Sequence, residues 1–169
     1  MNKDLIKTEC IQQIKNFSLP MYESIPTVGY FLEQTVDYIN QCLAPLPNVR
    51  ITSSMVRNYV KQGLITNPIR KKYNQDQIAY LLCITVLKQV VSLEDVQKLF
   101  GRQKKVYSNR TAYEYFRMEL KNVLDYQFGI KHSLDVVGTT HTLEKEILRS
   151  AVISVSNILY IQFCFDSMQ

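Results

Sequence analysis

Four polar side chains close together in the sequence have the types and spacing of a surface that reads DNA. They stand at positions i, i+3, i+4 and i+7: Ser54, Arg57, Asn58 and Lys61. On a helix, this spacing places all four in one positively charged stripe. Arginine can donate two hydrogen bonds to a guanine edge and asparagine can pair with adenine, whereas serine and lysine suit phosphate oxygens. The spacing therefore predicts contact with duplex DNA.

The stripe lies in a basic segment, residues 50–75, with a one-sided charge balance. The segment contains six of the 20 lysines and arginines and none of the 15 acidic residues, so the rest of the chain is close to neutral. An ordinary solvated helix face mixes both signs, and this one does not. We therefore expect an anionic partner. The candidate DNA-binding residues are Ser53, Ser54, Arg57, Asn58, Lys61, Arg70, Lys71, Lys72 and Tyr73.

The composition is that of an ordinary globular protein. Hydrophobic residues make up 46% and charged residues 21% of the 169 positions, unlike the composition of a disordered chain. This length allows one sizeable core, or a small module with a second part. Only 5 glycines and 5 prolines are present, which favours long elements with few tight turns. The apolar period is that of helices, so we predict an all-α protein.

Apolar spacing and capping residues locate the helices that carry the basic segment. We predict helices over residues 4–17 and from Thr27 to the prolines after position 44. Thr52 or Ser53 can cap a short helix that runs to about Gln62 and stops at Gly63. A short hairpin follows, and then a helix over residues 75–90 that is apolar on nearly every side.

Further helices are predicted after the basic segment. Ser92 and Asp95 open one that ends at Gly101, and two longer helices cover residues 108–128 and 143–167. The segment between these last two is predicted to contain a short strand pair. The final helix has apolar residues on a face too wide for a lone surface helix. It is therefore either a dimer interface or the centre of a second monomeric core.

Three motifs in sequence order resemble signatures of MerR-type transcription regulators. "MVRNYVKQGLI" (55–65) resembles the recognition-helix signature, "NPIRKKYNQDQIAYLLCITVLKQV" (67–90) is similar to the wing and the helix after it, and "VSLEDVQKLF" (91–100) is similar to the next signature. The whole chain, including "FSLPMYESIP", resembles still more closely the bacterial family domain-of-unknown-function 1836, whose members carry a MerR-like helix-turn-helix. Compared with MerR proteins, the predicted wing (66–73) is short and the loop "LAPLPNVR" is long.

The resemblance implies a MerR-like winged helix-turn-helix followed by a C-terminal helical part. Residues 1–106 would form the N-terminal helix and the DNA-binding domain, and residues 107–169 a helical dimerisation or effector region. The implied function is a sequence-specific transcription regulator, preferentially a repressor, that reads a palindromic operator with the Ser53–Gln62 helix. Its expected partners are double-stranded DNA and a second copy of the chain, with the effector ligand unknown. The alternative is a non-catalytic interaction module whose basic face binds RNA or an acidic protein.

Signatures of other functions are missing from the sequence. It contains no GxSxG, HExxH, GxGxxG or phosphate-binding glycine-rich loop, so we expect neither an enzyme nor a cofactor. The cysteines are scattered and the two histidines are nine positions apart, so a metal site is not expected either. Reduced cysteines fit the cytoplasm, and "MNKDLIKTEC" lacks the apolar core of a signal peptide.

One apolar stretch, residues 151–165, resembles a membrane span in composition. It is shorter than the roughly 20 residues that a bilayer requires. Its polar interruptions are Ser154, Ser156, Asn157 and Gln162. A buried core or subunit-interface helix is the better interpretation, and we expect a soluble protein without membrane contact.

Overall fold

Seven α-helices and two short strands form within residues 3–168, which a computed structural model describes, with side chains from residue 8 onward. The prediction of an all-α protein is confirmed. The elements are α1 (Lys3–Asn16), β1 (Tyr30–Phe31), α2 (Leu32–Cys42), α3 (Ser53–Lys61), β2 (Lys72–Tyr73), α4 (Gln75–Leu87), α5 (Leu93–Gln103), α6 (Asn109–Gln127) and α7 (Leu143–Asp166).

Side-chain caps begin five of these helices. In each, a polar side chain accepts a hydrogen bond from the backbone N–H three residues further on. The capping residues are Thr52, Asn74, Ser92, Ser108 and Thr142. Gly63 follows α3 with φ of 75°, a left-handed conformation that glycine adopts without strain. The predicted limits of α3, α6 and α7 therefore agree with the structure to within about a residue.

The central element is α4, which is buried on nearly every side. Ile78, Leu81, Leu82 and Ile84 are each fully buried, and α4 contacts α2, α5, α6 and α7. Cys83 lies among these apolar side chains, and its burial raises the pKa of the thiol far above its ordinary value. This confirms that the most apolar helix in the sequence forms the middle of the core.

One apolar core joins the two predicted parts of the chain. It extends from Ile14 in α1 through α4 to Phe163 in α7, and α6 and α7 pack closely along each other. Where α6 meets α7, the fully buried Glu119 accepts a hydrogen bond of 2.9 Å from Arg149 Nε. The division between residues 106 and 107 stays a prediction.

Several local predictions are wrong. α2 begins at Leu32, not at Thr27, because Gly29 turns the chain with φ of 75° and the next two residues are extended. Phe31 is therefore half exposed and lies outside the apolar face of α2. α5 continues past Gly101 to Gln103. In the described residues between α6 and α7 there is no strand.

The helix α7 is, among the described residues, the one helix long and apolar enough by length and composition to cross a membrane. The central helix of a soluble protein satisfies the same test. Leu148, Val152, Val155 and Leu159 of α7 are buried on the side that faces the core. This arrangement is consistent with a soluble protein. The helix predicted over residues 4–17 includes Leu5 and Ile6, which lie outside the residues whose side chains are described.

Shortening a side chain of α4 should destabilise the whole protein. We expect Leu82→Ala to lower the free energy of unfolding by about 2–5 kcal/mol, since it removes apolar contacts and leaves a cavity. Urea denaturation followed by circular dichroism measures the change. Leu143→Ala is the matched control, because Leu143 is 56% exposed. Equal stability of the two variants would contradict the central position of α4.

Candidate nucleic-acid interface

The polar stripe of α3 faces solvent. Val56 and Tyr59 point into the core, whereas the four side chains of the stripe are exposed: Ser54, Arg57, Asn58 and Lys61. Asn58 Oδ1 accepts a hydrogen bond of 3.3 Å from Gln62 Nε2. Within the described residues, Arg57 and Lys61 have no carboxylate partner. Two positive charges on this face are therefore available to an anion.

Ser53 differs from the other candidates on α3. Its hydroxyl donates a hydrogen bond of 2.8 Å to Glu33 Oε1, at the start of α2. An acidic side chain thus stands at the beginning of α3, although the basic segment itself contains none. The sequence could not indicate this neighbour, because 20 positions separate the two residues. Ser53 is consequently less suited to a phosphate contact than Ser54.

The hairpin at residues 69–72 presents the second group of cations. Ile69 and Lys72 exchange backbone hydrogen bonds of 2.9 and 3.1 Å. Between them, Arg70 and Lys71 have φ of 51° and 65°, which makes a two-residue turn of type I′. Asn-Gly is preferred in this turn, since other residues are strained at positive φ. Here two exposed cationic side chains occupy these positions.

The strand β1 supports the hairpin from the other side. It pairs antiparallel with β2, with Tyr30 opposite Tyr73 and Phe31 opposite Lys72. Lys72 Nζ lies 5.1 Å from the centroid of the Phe31 ring, within the range of a cation–π interaction. A Cβ at Gly29 would come within 3.2 Å of Lys72 Cβ, so a glycine lets the chain pass close to the hairpin.

Tyr73 lies beneath this surface. Its side chain is only 4% exposed, so its ring belongs to the core and is not accessible to a nucleic acid. Burial raises the pKa of the Tyr73 phenol, and the charge of Arg57 acts in the opposite direction. The positive charge of Arg57 on α3 therefore influences the phenol of Tyr73 in β2.

Gln77 fixes the chain between α3 and the hairpin. This buried amide donates to Thr66 O and Thr66 Oγ1, both at 3.0 Å, and its Oε1 accepts from Asn74 N at 2.8 Å. The hydrogen bond from Asn74 N to Gln77 is one half of a capping box at the start of α4. One side chain thus anchors the base of the hairpin to the central helix.

The loop between α2 and α3 is held by two polar side chains. The Asn40 amide exchanges two hydrogen bonds of 2.9 Å with the backbone of Ile51. The guanidinium of Arg50 donates to four backbone carbonyls of the loop, those of Leu43, Ala44, Leu46 and Val49. Arg50 therefore has a structural role, whereas the five other cations of the basic segment are exposed and donate no such hydrogen bonds to the described backbone.

Metal-binding geometry is not found in the described part of the chain. No group of three or more histidine, cysteine, aspartate or glutamate side chains there could hold an ion. The four cysteines are all free. The chemistry available on the basic surface is thus hydrogen bonding and charge. We define the basic surface as the exposed side chains of Ser54, Arg57, Asn58, Lys61, Arg70, Lys71 and Lys72.

The chain belongs to a family whose function is not known. The family model described as "Domain of unknown function (DUF1836)" matches residues 20–119, and this range contains the whole basic surface, β1 and α2 to α5. Searches among curated proteins and among solved structures find no match. The expected membership in this family is thereby confirmed.

The strain of the hairpin turn can be tested through the stability of the protein. Replacing Arg70 and Lys71 by Asn and Gly should relieve the strain of the type I′ turn and raise the free energy of unfolding by about 1–2 kcal/mol. The control variant, Arg70→Gln with Lys71→Gln, removes the same charges but keeps a side chain at both positions. Its stability in urea should not rise. Equal stability of both variants would show that the turn is not strained.

Proposed function

We propose that the protein is a sequence-specific DNA-binding transcription regulator, preferentially a repressor, with a MerR-like winged helix-turn-helix. In this proposal α2 and α3 are the two helices, α3 is the recognition helix and the hairpin is the wing. The observation that carries it is the basic surface: five exposed cations on two neighbouring elements, without a carboxylate partner among the described residues. The protein would act in the cytoplasm, without catalysis.

The side chains of the basic surface would divide into two groups. Arg57 and Asn58 lie in the middle of α3 and have the donors and acceptors that distinguish base edges in a major groove. Lys61 and the hairpin cations would contact phosphates, which position a protein without reading sequence. The Asn58 amide would first have to release Gln62. Tyr73 is excluded because it is buried, and Ser53 is less suited because it already contacts Glu33.

The rigid supports of the basic surface favour specific binding over loose charge attraction. A base-reading side chain needs a fixed backbone, because hydrogen bonds to base edges depend on distance and direction. Asn40 and Gln77 each make several hydrogen bonds to the backbone on either side of α3. Binding of an acidic protein or an RNA through charge alone would not require a fixed backbone around α3.

The proposed regulator would act as a homodimer through α7. We define the α7 stripe as Ser154, Ile158, Ile161 and Phe165 of α7 together with Met168 just after the helix, all exposed. Their spacing of four and three residues alternates, as in the seam of two paired helices. No charged residue occurs from Ser150 to Phe165, so over this range a second copy of the stripe would meet it without like-charge repulsion. A two-fold dimer would also double the DNA site into two half-sites.

Arg57 and Lys72 should affect DNA binding in different ways. After selecting a preferred duplex from a random pool, we expect Arg57→Ala to cost about 1–3 kcal/mol on that duplex and to relax the preference at one position. Lys72→Ala, or Lys71→Ala, should weaken binding to all duplexes and lower the salt slope by about one unit. Fluorescence anisotropy at several salt concentrations measures both effects.

Lys105→Ala is the control for this comparison, because Lys105 is exposed and lies outside the basic surface. It should leave binding unchanged. If Arg57→Ala and Lys72→Ala act alike on selected and random DNA, α3 does not read bases. If the purified protein prefers an RNA hairpin or an acidic protein to every duplex, the interaction module is the better description.

The dimer can be tested by placing a charge in the α7 stripe. We expect multi-angle light scattering at micromolar concentrations to give twice the monomer mass of 19.7 kDa. Ile161→Glu should reduce it to the monomer, because two carboxylates would face each other across the two-fold axis. Val106→Glu is the control, since Val106 is also exposed but lies before α6. A monomeric wild-type protein would rule out this interface.

A further inference from the structure

A cavity of about 500 Å³ lies where α5, α6 and the start of α7 meet the loop at residues 137–140. Cavities of roughly 300–1,000 Å³ are typical of small-molecule sites. Most of the lining surface is apolar, and the side chains that form it include Leu99, Tyr107, Tyr115, Met118, Val137 and Leu148. The cavity is separate from the basic surface, and the proposed function does not use it.

The lining contains two carboxylates and two cations, and three of these four groups are paired with residues outside the lining. Glu144 pairs with Arg102 at 2.6 Å and Glu114 with Arg117 at 2.7 Å. The guanidinium of Arg110 is paired with Glu23. In each case the partner is not part of the lining. Among the described residues, the fourth charged group, Lys145, has no carboxylate partner. Lys145 is therefore the charged group of the lining that can receive an anionic ligand.

The ammonium of Lys145 is held in place and keeps one N–H donor free. Nζ donates to Thr140 Oγ1 at 2.7 Å and to Thr140 O at 3.1 Å. It lies 4.8 Å from the centroid of the Tyr115 ring and 5.7 Å from that of Tyr107. An ammonium has three N–H donors, so one remains for a further acceptor.

Gly138 keeps the space around this ammonium open. Its φ is 81°, and a Cβ at this position would come within 3.0 Å of Lys145 Nζ. A side chain at residue 138 would therefore require the ammonium to shift by a few tenths of an ångström. The loop is thus shaped around a charge that no acidic side chain among the described residues neutralises.

We infer that this cavity binds a small organic anion with an aromatic or apolar body, of the class of aryl or alkyl carboxylates. The carboxylate accepts a charge-assisted hydrogen bond from Lys145. The body lies against Tyr107, Tyr115 and the aliphatic side chains, where it removes apolar surface from water.

The position of the cavity connects such a ligand to the recognition helix. Leu99 and Gln103 of α5 are part of the lining, and the Arg102–Glu144 ion pair joins α5 to α7 at this site. On another side of α5, Gln97 Nε2 donates at 3.5 Å to Gly63 O, just after the C-terminal end of α3. A ligand that shifts α5 would therefore act on the C-terminal end of α3.

Three probes of the same shape and different charge test the inference. 4-Phenylbutyrate, 4-phenylbutanol and 4-phenylbutylamine are titrated into the ¹⁵N-labelled full chain, and amide shifts are followed by NMR. We expect the carboxylate to bind about tenfold or more tightly than the alcohol and the amine to bind least. The shifting amides should include Gly138 and Lys145.

Variants of the cavity make the test specific. Lys145→Met keeps the length of the side chain and removes its charge, so the preference for the carboxylate over the alcohol should disappear. Lys105→Met, outside the cavity, should leave this preference unchanged. Met118→Trp should weaken all probes by filling the space, and Met118 is 50% exposed, so the change is compatible with folding.

Two outcomes would overturn the inference. One is equal binding of the carboxylate and the alcohol to the wild-type protein. The other is the absence of any shift at the cavity for all three probes at millimolar concentration. No DNA is present in these titrations, so neither outcome bears on the proposed function.

Discussion

A helix without a polar face determines the arrangement of the other elements. Almost every side chain of α4 from Gln77 to Leu87 is buried, and a helix of this kind is stable in water only when other elements cover all of its sides. α2, α5, α6 and α7 provide that cover. The α6–α7 pair therefore belongs to the same core as α3 and the hairpin. A displacement of α4 would change the packing of the elements on both of its sides.

The basic surface is supported in a different way from the core. Its backbone is held by hydrogen bonds from a few polar side chains, Asn40, Arg50 and Gln77, to carbonyl and N–H groups of the loops around α3. Such bonds specify direction as well as distance. The loop before α3 is long, but its backbone is fixed, because the Arg50 guanidinium donates hydrogen bonds to four of its carbonyls.

Local patterns in the sequence predict much of the fold and part of the candidate site. The period of 3.6 and the capping residues locate α3, α4, α6 and α7, because these signals act within one turn of the chain. β1 could not be predicted, since its partner, Lys72–Tyr73, is about 40 positions away and only two residues pair. For the same reason, charge counting could not separate Arg50, which binds the loop, from Arg57, or recognise Glu33 beside Ser53. The burial of Tyr73 also depends on elements distant in sequence.

The position of Cys83 gives the protein an internal reporter of core opening. A thiol reacts as the thiolate, and here the side chain is buried in α4 while its pKa is raised by the same burial. Cys10, Cys42 and Cys164 are only partly buried. Alkylation under native conditions should therefore modify these three through local fluctuations, whereas Cys83 becomes accessible only when the helices around α4 separate. The labelling rate of this one residue then reports how readily the core opens, without an engineered label.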